Sequence, residues 1–166
     1  MRKSRSPVTD GWWTVDTGIL IALAARDEKS KKLFALIAKH RKGLRAPTVV
    51  LAEWWRERHD IAAQTIREGI TWEDTSAQVA ASAGEALAKV QKNAKNAKSP
   101  YPQGKCDNCH RDHKYDEKVT RYAVTPVDAI VMAFASSKGD PVFSFDRDDM
   151  EKLKSSFPNV EIIEMG

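Results

Sequence analysis

Four carboxylates in this chain stand where side chains could converge to do chemistry: Asp16, Glu53, Asp128 and Asp146. In "WWTVDTGILIAL" a strand-like apolar run ends at Asp16, and in "PVFSFDRDD" another ends at Asp146. Glu53 in "PTVVLAEWWR" and Asp128 in "TPVDAIVMAFA" each fall inside the first turns of an apolar helix. Oxygen anions gathered at one sheet edge suit hard divalent cations such as Mg²⁺ and Mn²⁺. The chemistry such a set could support is metal-dependent phosphodiester hydrolysis.

Each acid also has an ordinary local explanation. Asp16 and Asp146 precede predicted helices and could serve only as N-caps. Asp128 sits three residues after Thr125 in a capping box. Glu53 could be a helix-surface glutamate. The order of the four along the chain, rather than any one of them, carries the reading.

The elements that must position them alternate. A strand at Trp12–Val15 leads into a helix from Thr17 to Ala25, and a second helix covers Lys29–Arg41 with Leu33, Phe34, Leu36 and Ile37 as its apolar face. A strand at Leu44–Ala46 precedes a helix opened by Pro47–Thr48. A shorter helix at Ile61–Glu68 leads to a strand at Ile70–Trp72. Thr75 and Gln78 form a capping-box pattern before a long alanine-rich helix whose inner face carries Val79, Ala83, Ala86, Leu87 and Val90. Pro126 starts a buried helix ending near Ser136, followed by a strand at Val142–Phe145, a helix at Asp149–Ser155 and a strand at Val160–Ile163. This alternation predicts an α/β fold with a mainly parallel sheet covered by helices on both faces. In such sheets ligands bind beyond the carboxyl ends of the strands, where Asp16 and Asp146 fall.

At 166 residues the chain suits one domain. We expect a basic tail over residues 1–10, a single domain over 11–166, and a loop or insertion at about 99–118. No apolar run approaches the length of a membrane span, and no apolar core follows the basic start "MRKSRSPVTDGWW", so the expected location is the cytoplasm. The segment from Lys92 to Arg121 holds eight Lys and Arg against four Asp and Glu, and so carries the entire net charge of +4. Within it, Lys105, Arg111, Lys114, Lys118 and Arg121 are candidate RNA-phosphate contacts, the alternative being a solvated lysine-rich face.

The chain resembles the PIN-domain nucleases, and especially the VapC-type toxins of bacterial toxin–antitoxin pairs. The resemblance lies in "TVDTGILIAL", "PTVVLAEWWR", "TPVDAIVMAFA" and "VFSFDRDDMEKL", in that order, with "TSAQVAASAGEALA" similar to the helix before the third acid; it spans Trp12 to Ile163. It implies a three-layer α/β/α fold and an endoribonuclease using Mg²⁺ or Mn²⁺. It also implies structured RNA such as tRNA or rRNA as substrate, a small antitoxin as partner, and a homodimer. By position, Asp16, Glu53, Asp128 and Asp146 would be the catalytic and metal-site acids, Asp149 a fifth, and Thr17 and Ser144 hydroxyls lining the site. Where the family often has Thr-Ser before the fourth acid, this chain has Ser144–Phe145. A non-catalytic PIN-like module gripping RNA through the basic segment is the alternative function.

Two further features invite a role. Cys106, Cys109, His110 and His113 are side chains suited to a structural Zn²⁺, although adjacent Cys109 and His110 fit one tetrahedral ion poorly. The same C-x-x-C-H string matches covalent haem attachment, and a basic loop contacting RNA or a partner is the plainer reading. Of the pairs Trp12–Trp13 and Trp54–Trp55, one member each should be core, with Trp13 or Trp55 available to an interface. His40 and His59 read as surface helix residues.

Overall fold

The computed structural model describes residues 11–55, 60–96 and 124–163. Its elements run β1 (Trp12–Val15), α1 (Thr17–Ala24), α2 (Glu28–Lys39), β2 (Gly43–Pro47), α3 (Thr48–Trp55), α4 (Ile61–Gly69), β3 (Thr71–Glu73), α5 (Ala77–Asn96), α6 (Pro126–Lys138), β4 (Val142–Phe143), α7 (Arg147–Lys154) and β5 (Ile162–Ile163). The basic tail, His59 and the segment holding the Cys/His string lie outside the described residues.

The five strands form one sheet in the order β3-β2-β1-β4-β5, and every neighbouring pair is parallel. Successive strands step outward from β1 through β2 to β3, then return to the other side with β4 and β5. The order therefore reverses between β1 and β4, which opens a crevice at their carboxyl ends.

Each buried run in the sequence has a place in this frame. Val131, Met132, Ala133, Phe134 and Ala135 are all buried, as a helix apolar around its whole circumference must be, and α6 packs on β1, β2 and β4. Gly139 ends α6 in the left-handed conformation at φ 70, where glycine pays no Cβ penalty. Gly43 is required for a different reason, since a Cβ there would lie 2.6 Å from the ring of Trp12. Trp13 packs on the opposite side of β1, with ring centroids 5.0 Å from Phe143 and 5.6 Å from His40.

The inner face expected for the long helix holds: Ala83 and Ala86 are buried, with Val79, Leu87 and Val90 packed against the core. Three local expectations need correction. Phe34 is exposed, because Leu33 occupies the core-facing position and Leu36 and Ile37 continue that stripe. Helix α5 starts at Ala77 with Ser76 Oγ accepting the Val79 N–H at 3.2 Å, so Ser76 caps it, one residue beyond Thr75. Trp13 is buried at 3% exposure, which leaves Trp55 as the half-exposed partner to buried Trp54.

Candidate active site

The crevice between β1 and β4 gathers the predicted acids. Asp16 follows β1 and caps α1, its Oδ1 accepting the Ile19 N–H at 2.9 Å. Its Oδ2 accepts the hydroxyl of Ser144, which follows β4 on the neighbouring strand. That serine oxygen in turn accepts the Asp146 N–H at 2.9 Å, so one buried hydroxyl ties the first acid to the backbone of the fourth. Asp146 then caps α7 by accepting from the Asp149 N–H at 3.3 Å.

Asp128 occupies the third position of α6. Its Oδ2 accepts the Thr125 N–H at 2.8 Å and the Thr125 hydroxyl at 2.7 Å, while its own N–H donates to that hydroxyl at 3.1 Å. The expected capping box is present, with Pro126 at the start of the helix. Glu53 lies on α3 and accepts the hydroxyl of Thr17, the residue directly after Asp16. Thr17 therefore links the second acid to the first helix of the site.

The electrostatics couple the acids at the crevice. Burial lifts Asp16 from 3.8 to about 6; the hydrogen bonds from Ser144 and Ile19 oppose this, and the charges of Asp128 and Asp146 add to it. Burial also raises Asp128, with the charges of Asp149 and Asp146 in the same direction and the Thr125 hydrogen bonds against it. Both carboxyls resist ionisation chiefly because they are buried, and among the described residues no cation pairs with either. Asp149 pairs with Lys152 on its own helix.

Every donor in this set is a hard oxygen, and the mutual repulsion of the acids fits a divalent cation. Among the described residues Asp128 Oδ1, Glu53 Oε1 and Asp146 Oδ2 accept no hydrogen bond, so each of these three acids has an oxygen to offer, whereas both oxygens of Asp16 are engaged. No three acid, histidine or cysteine side chains among the described residues enclose an ion as they stand. Each carboxylate of the set accepts from a hydroxyl or a backbone N–H.

Sequence reasoning missed a second polar system beneath this edge. Arg45 of β2 grips Asp140 through Nε and, at 2.6 Å, through Nη2, and reaches Glu73 at 3.3 Å. Lys138 completes the pairing of Glu73, and Thr14 donates to Asp140 at 3.1 Å. Charged residues in short strands were the available signal. The candidate RNA contacts Lys105, Arg111, Lys114, Lys118 and Arg121, and the candidate zinc ligands Cys106, Cys109, His110 and His113, fall outside the described residues.

This α/β architecture is that of the VapC-like PIN domains. It superposes on the VapBC2 complex from Rickettsia felis bound to a DNA fragment from its promoter, with TM-score 0.52, 14% identity, and 92% of this chain and 97% of that chain covered. It also superposes on VapC20 from Mycobacterium tuberculosis, described as a Sarcin-Ricin loop cleaving toxin, with TM-score 0.52, 21% identity, and 83% and 92% covered. FitAB bound to an IR36 DNA fragment gives TM-score 0.51 at 12% identity, with 92% and 94% covered. No family profile and no curated protein matches the chain in sequence. Among the described residues no helix is long and apolar enough to cross a membrane.

Proposed function

We propose that this protein is a divalent-metal-dependent endoribonuclease and the toxin of a toxin–antitoxin pair. The observation that carries the reading is the electrostatically coupled set Asp16, Asp128, Asp146 and Asp149 at the point where the strand order reverses, with Glu53 joined to it through Thr17. The likeness to a toxin described as Sarcin-Ricin loop cleaving agrees with it, as do two complexes bound to DNA for the antitoxin partner.

Asp16, Glu53, Asp128 and Asp146 would hold Mg²⁺ or Mn²⁺, with Asp149 adjoining. A bound cation supplies neutralising charge and Lewis acidity for the attacked phosphate and the leaving oxygen. The chain's own part is orientation. Ser144 and the Ile19 N–H fix both oxygens of Asp16, Thr125 fixes one of Asp128, and Thr17 fixes one of Glu53. Such hydrogen bonds keep ligand carboxylates in register and tune their basicity. The substrate would be structured RNA, held by the basic segment from Lys92 to Arg121, and the working form a cytoplasmic homodimer.

Cleavage of total cellular RNA by the purified protein with Mn²⁺ or Mg²⁺, beside EDTA and Asp128→Asn controls, tests this. Discrete fragments that vanish in both controls are the expected result. RNA binding that persists in EDTA without any cleavage would replace the nuclease with a binding module.

A further inference from the structure

Phe145 stands between two residues of the acidic edge: Ser144, which donates to Asp16, and Asp146, which caps α7. Its ring is half-buried and rests against the core. The ammonium of Lys29, near the start of α2, lies over that ring, 3.7 Å from its centroid. Lys29 makes no ion pair among the described residues. Its acidic neighbours in the chain are engaged elsewhere, Asp27 in capping α2 and Glu28 with Lys31.

A cation without a carboxylate among the described residues thus sits on an aromatic face, one residue along the chain from Asp146 of the acidic edge. Core packing alone explains an apolar side chain at this position, and leucine would meet that need. It does not explain a ring with a lysine over it, flanked along the chain by Ser144 and Asp146. Nucleobases of single strands stack on such rings, and the lysine they displace is left free for a backbone phosphate.

We propose that Phe145 and Lys29 form a nucleotide subsite beside the acids. The ring takes one base of single-stranded RNA by stacking, and Lys29 moves from the ring to the adjoining phosphate. The inference rests on the ribonuclease reading for its ligand and adds the element that engages a nucleotide next to the bond being cut. Consecutive Cα atoms lie about 3.8 Å apart, so the backbone of Phe145 is within one residue of both Ser144 and Asp146.

Fluorescence anisotropy in the Asp128→Asn background tests this with a short single-stranded RNA and the same ribose-phosphate strand lacking bases. The parent is expected to prefer the strand with bases. Phe145→Leu keeps apolar bulk and should bind that strand about 5- to 150-fold more weakly, with no change on the abasic strand. Phe145→Tyr should restore the preference. Lys29→Gln should flatten the salt dependence of binding by a slope of about 0.7 on both strands. Equal affinity of the parent and Phe145→Leu for the base-bearing RNA would overturn the stacking subsite, as an unchanged salt slope in Lys29→Gln would overturn the phosphate contact. Should Phe145→Leu fail to fold, the salt slope decides. Wild-type cleavage with Mn²⁺ is measured in parallel: its absence counts against the nuclease, whereas base-dependent binding is read without turnover.

Discussion

Replacing Asp16 by asparagine separates a helix cap from a site acid. An asparagine oxygen can still accept the Ile19 N–H, and its amide can donate to Ser144 with the hydroxyl reversed, so both hydrogen bonds at this position survive. What disappears is a buried charge. Asp16 is lifted from 3.8 to about 6, chiefly by burial. Between those values the native state binds the proton that the unfolded chain has released. Its contribution to stability is therefore complete below 3.8 and is lost as the pH rises through about 6. At roughly 1.4 kcal/mol per pH unit, the ionised carboxylate burdens the metal-free fold by about 3 kcal/mol at neutral pH. Asp16→Asn should therefore stabilise the protein by up to about 3 kcal/mol near pH 7.5 in EDTA, with the gain fading toward about pH 4. The assay is urea unfolding at the two pH values, repeated with Mn²⁺, which should stabilise the wild type and not the variant. RNA cleavage should be lost. A variant less stable by about 0.5–2 kcal/mol at both pH values would show an ordinary lost cap and refute the reasoning.

Ser144→Ala removes a hydrogen bond that holds Asp16 down, so Asp16 should rise further and the acid limb of a cleavage pH profile should move to higher pH. An unmoved limb would dissociate the serine from the site. Thr17→Val keeps the shape of the side chain and removes the hydroxyl on Glu53, so Mn²⁺ affinity by calorimetry should fall about 10- to 100-fold with the fold intact; an unchanged affinity would leave Glu53 out of the metal site. Arg45→Met strands Asp140, which is 7% exposed, and should lower stability in urea by about 3–5 kcal/mol. A loss under about 1 kcal/mol would mean that Asp140 finds another partner.

Strand and helix order was legible because each apolar run had a clear stop. Trp12–Val15 ends at the Asp16 cap, the Thr125–Asp128 box opens α6, and α6 stops at Gly139. The ends of the last two strands were not. Only Val142–Phe143 and Ile162–Ile163 pair in the sheet, so the apolar residues Phe145 and Val160 on either side of the ladders are packed without belonging to them. Phe34 was misread for a related reason: an amphipathic stripe has a centre and an edge, and the sequence alone does not say which residue is which. Of the candidate site, the acids and their order along the chain were readable, but their hydrogen-bond partners were not. That Ser144 would bridge Asp16 to the Asp146 N–H depends on β1 and β4 being neighbours, a matter of sheet order that no local pattern encodes. The Arg45–Asp140 pair joins residues 95 positions apart for the same reason.

The two polar systems of this fold argue together for what the acidic edge is for. Glu73 and Asp140 are also partly or wholly buried, yet the chain supplies Lys138 and Arg45 to them, and Glu73 is held below its ordinary range by Lys138 first and Arg45 after it. The protein therefore has the means to neutralise an acid inside this sheet. At the crevice between β1 and β4 it does the reverse. Among the described residues Asp16 and Asp128 receive neutral donors only, from Ser144, Ile19 and Thr125, and each is made harder to ionise by burial first and by the acids around it after that. Neutral donors orient a carboxylate without cancelling its charge. A structural acid gains a cap from those donors, but a cation would relieve the burial of its charge more fully. An acid that must meet a divalent cation from solution needs both properties at once, a fixed direction and an uncancelled charge.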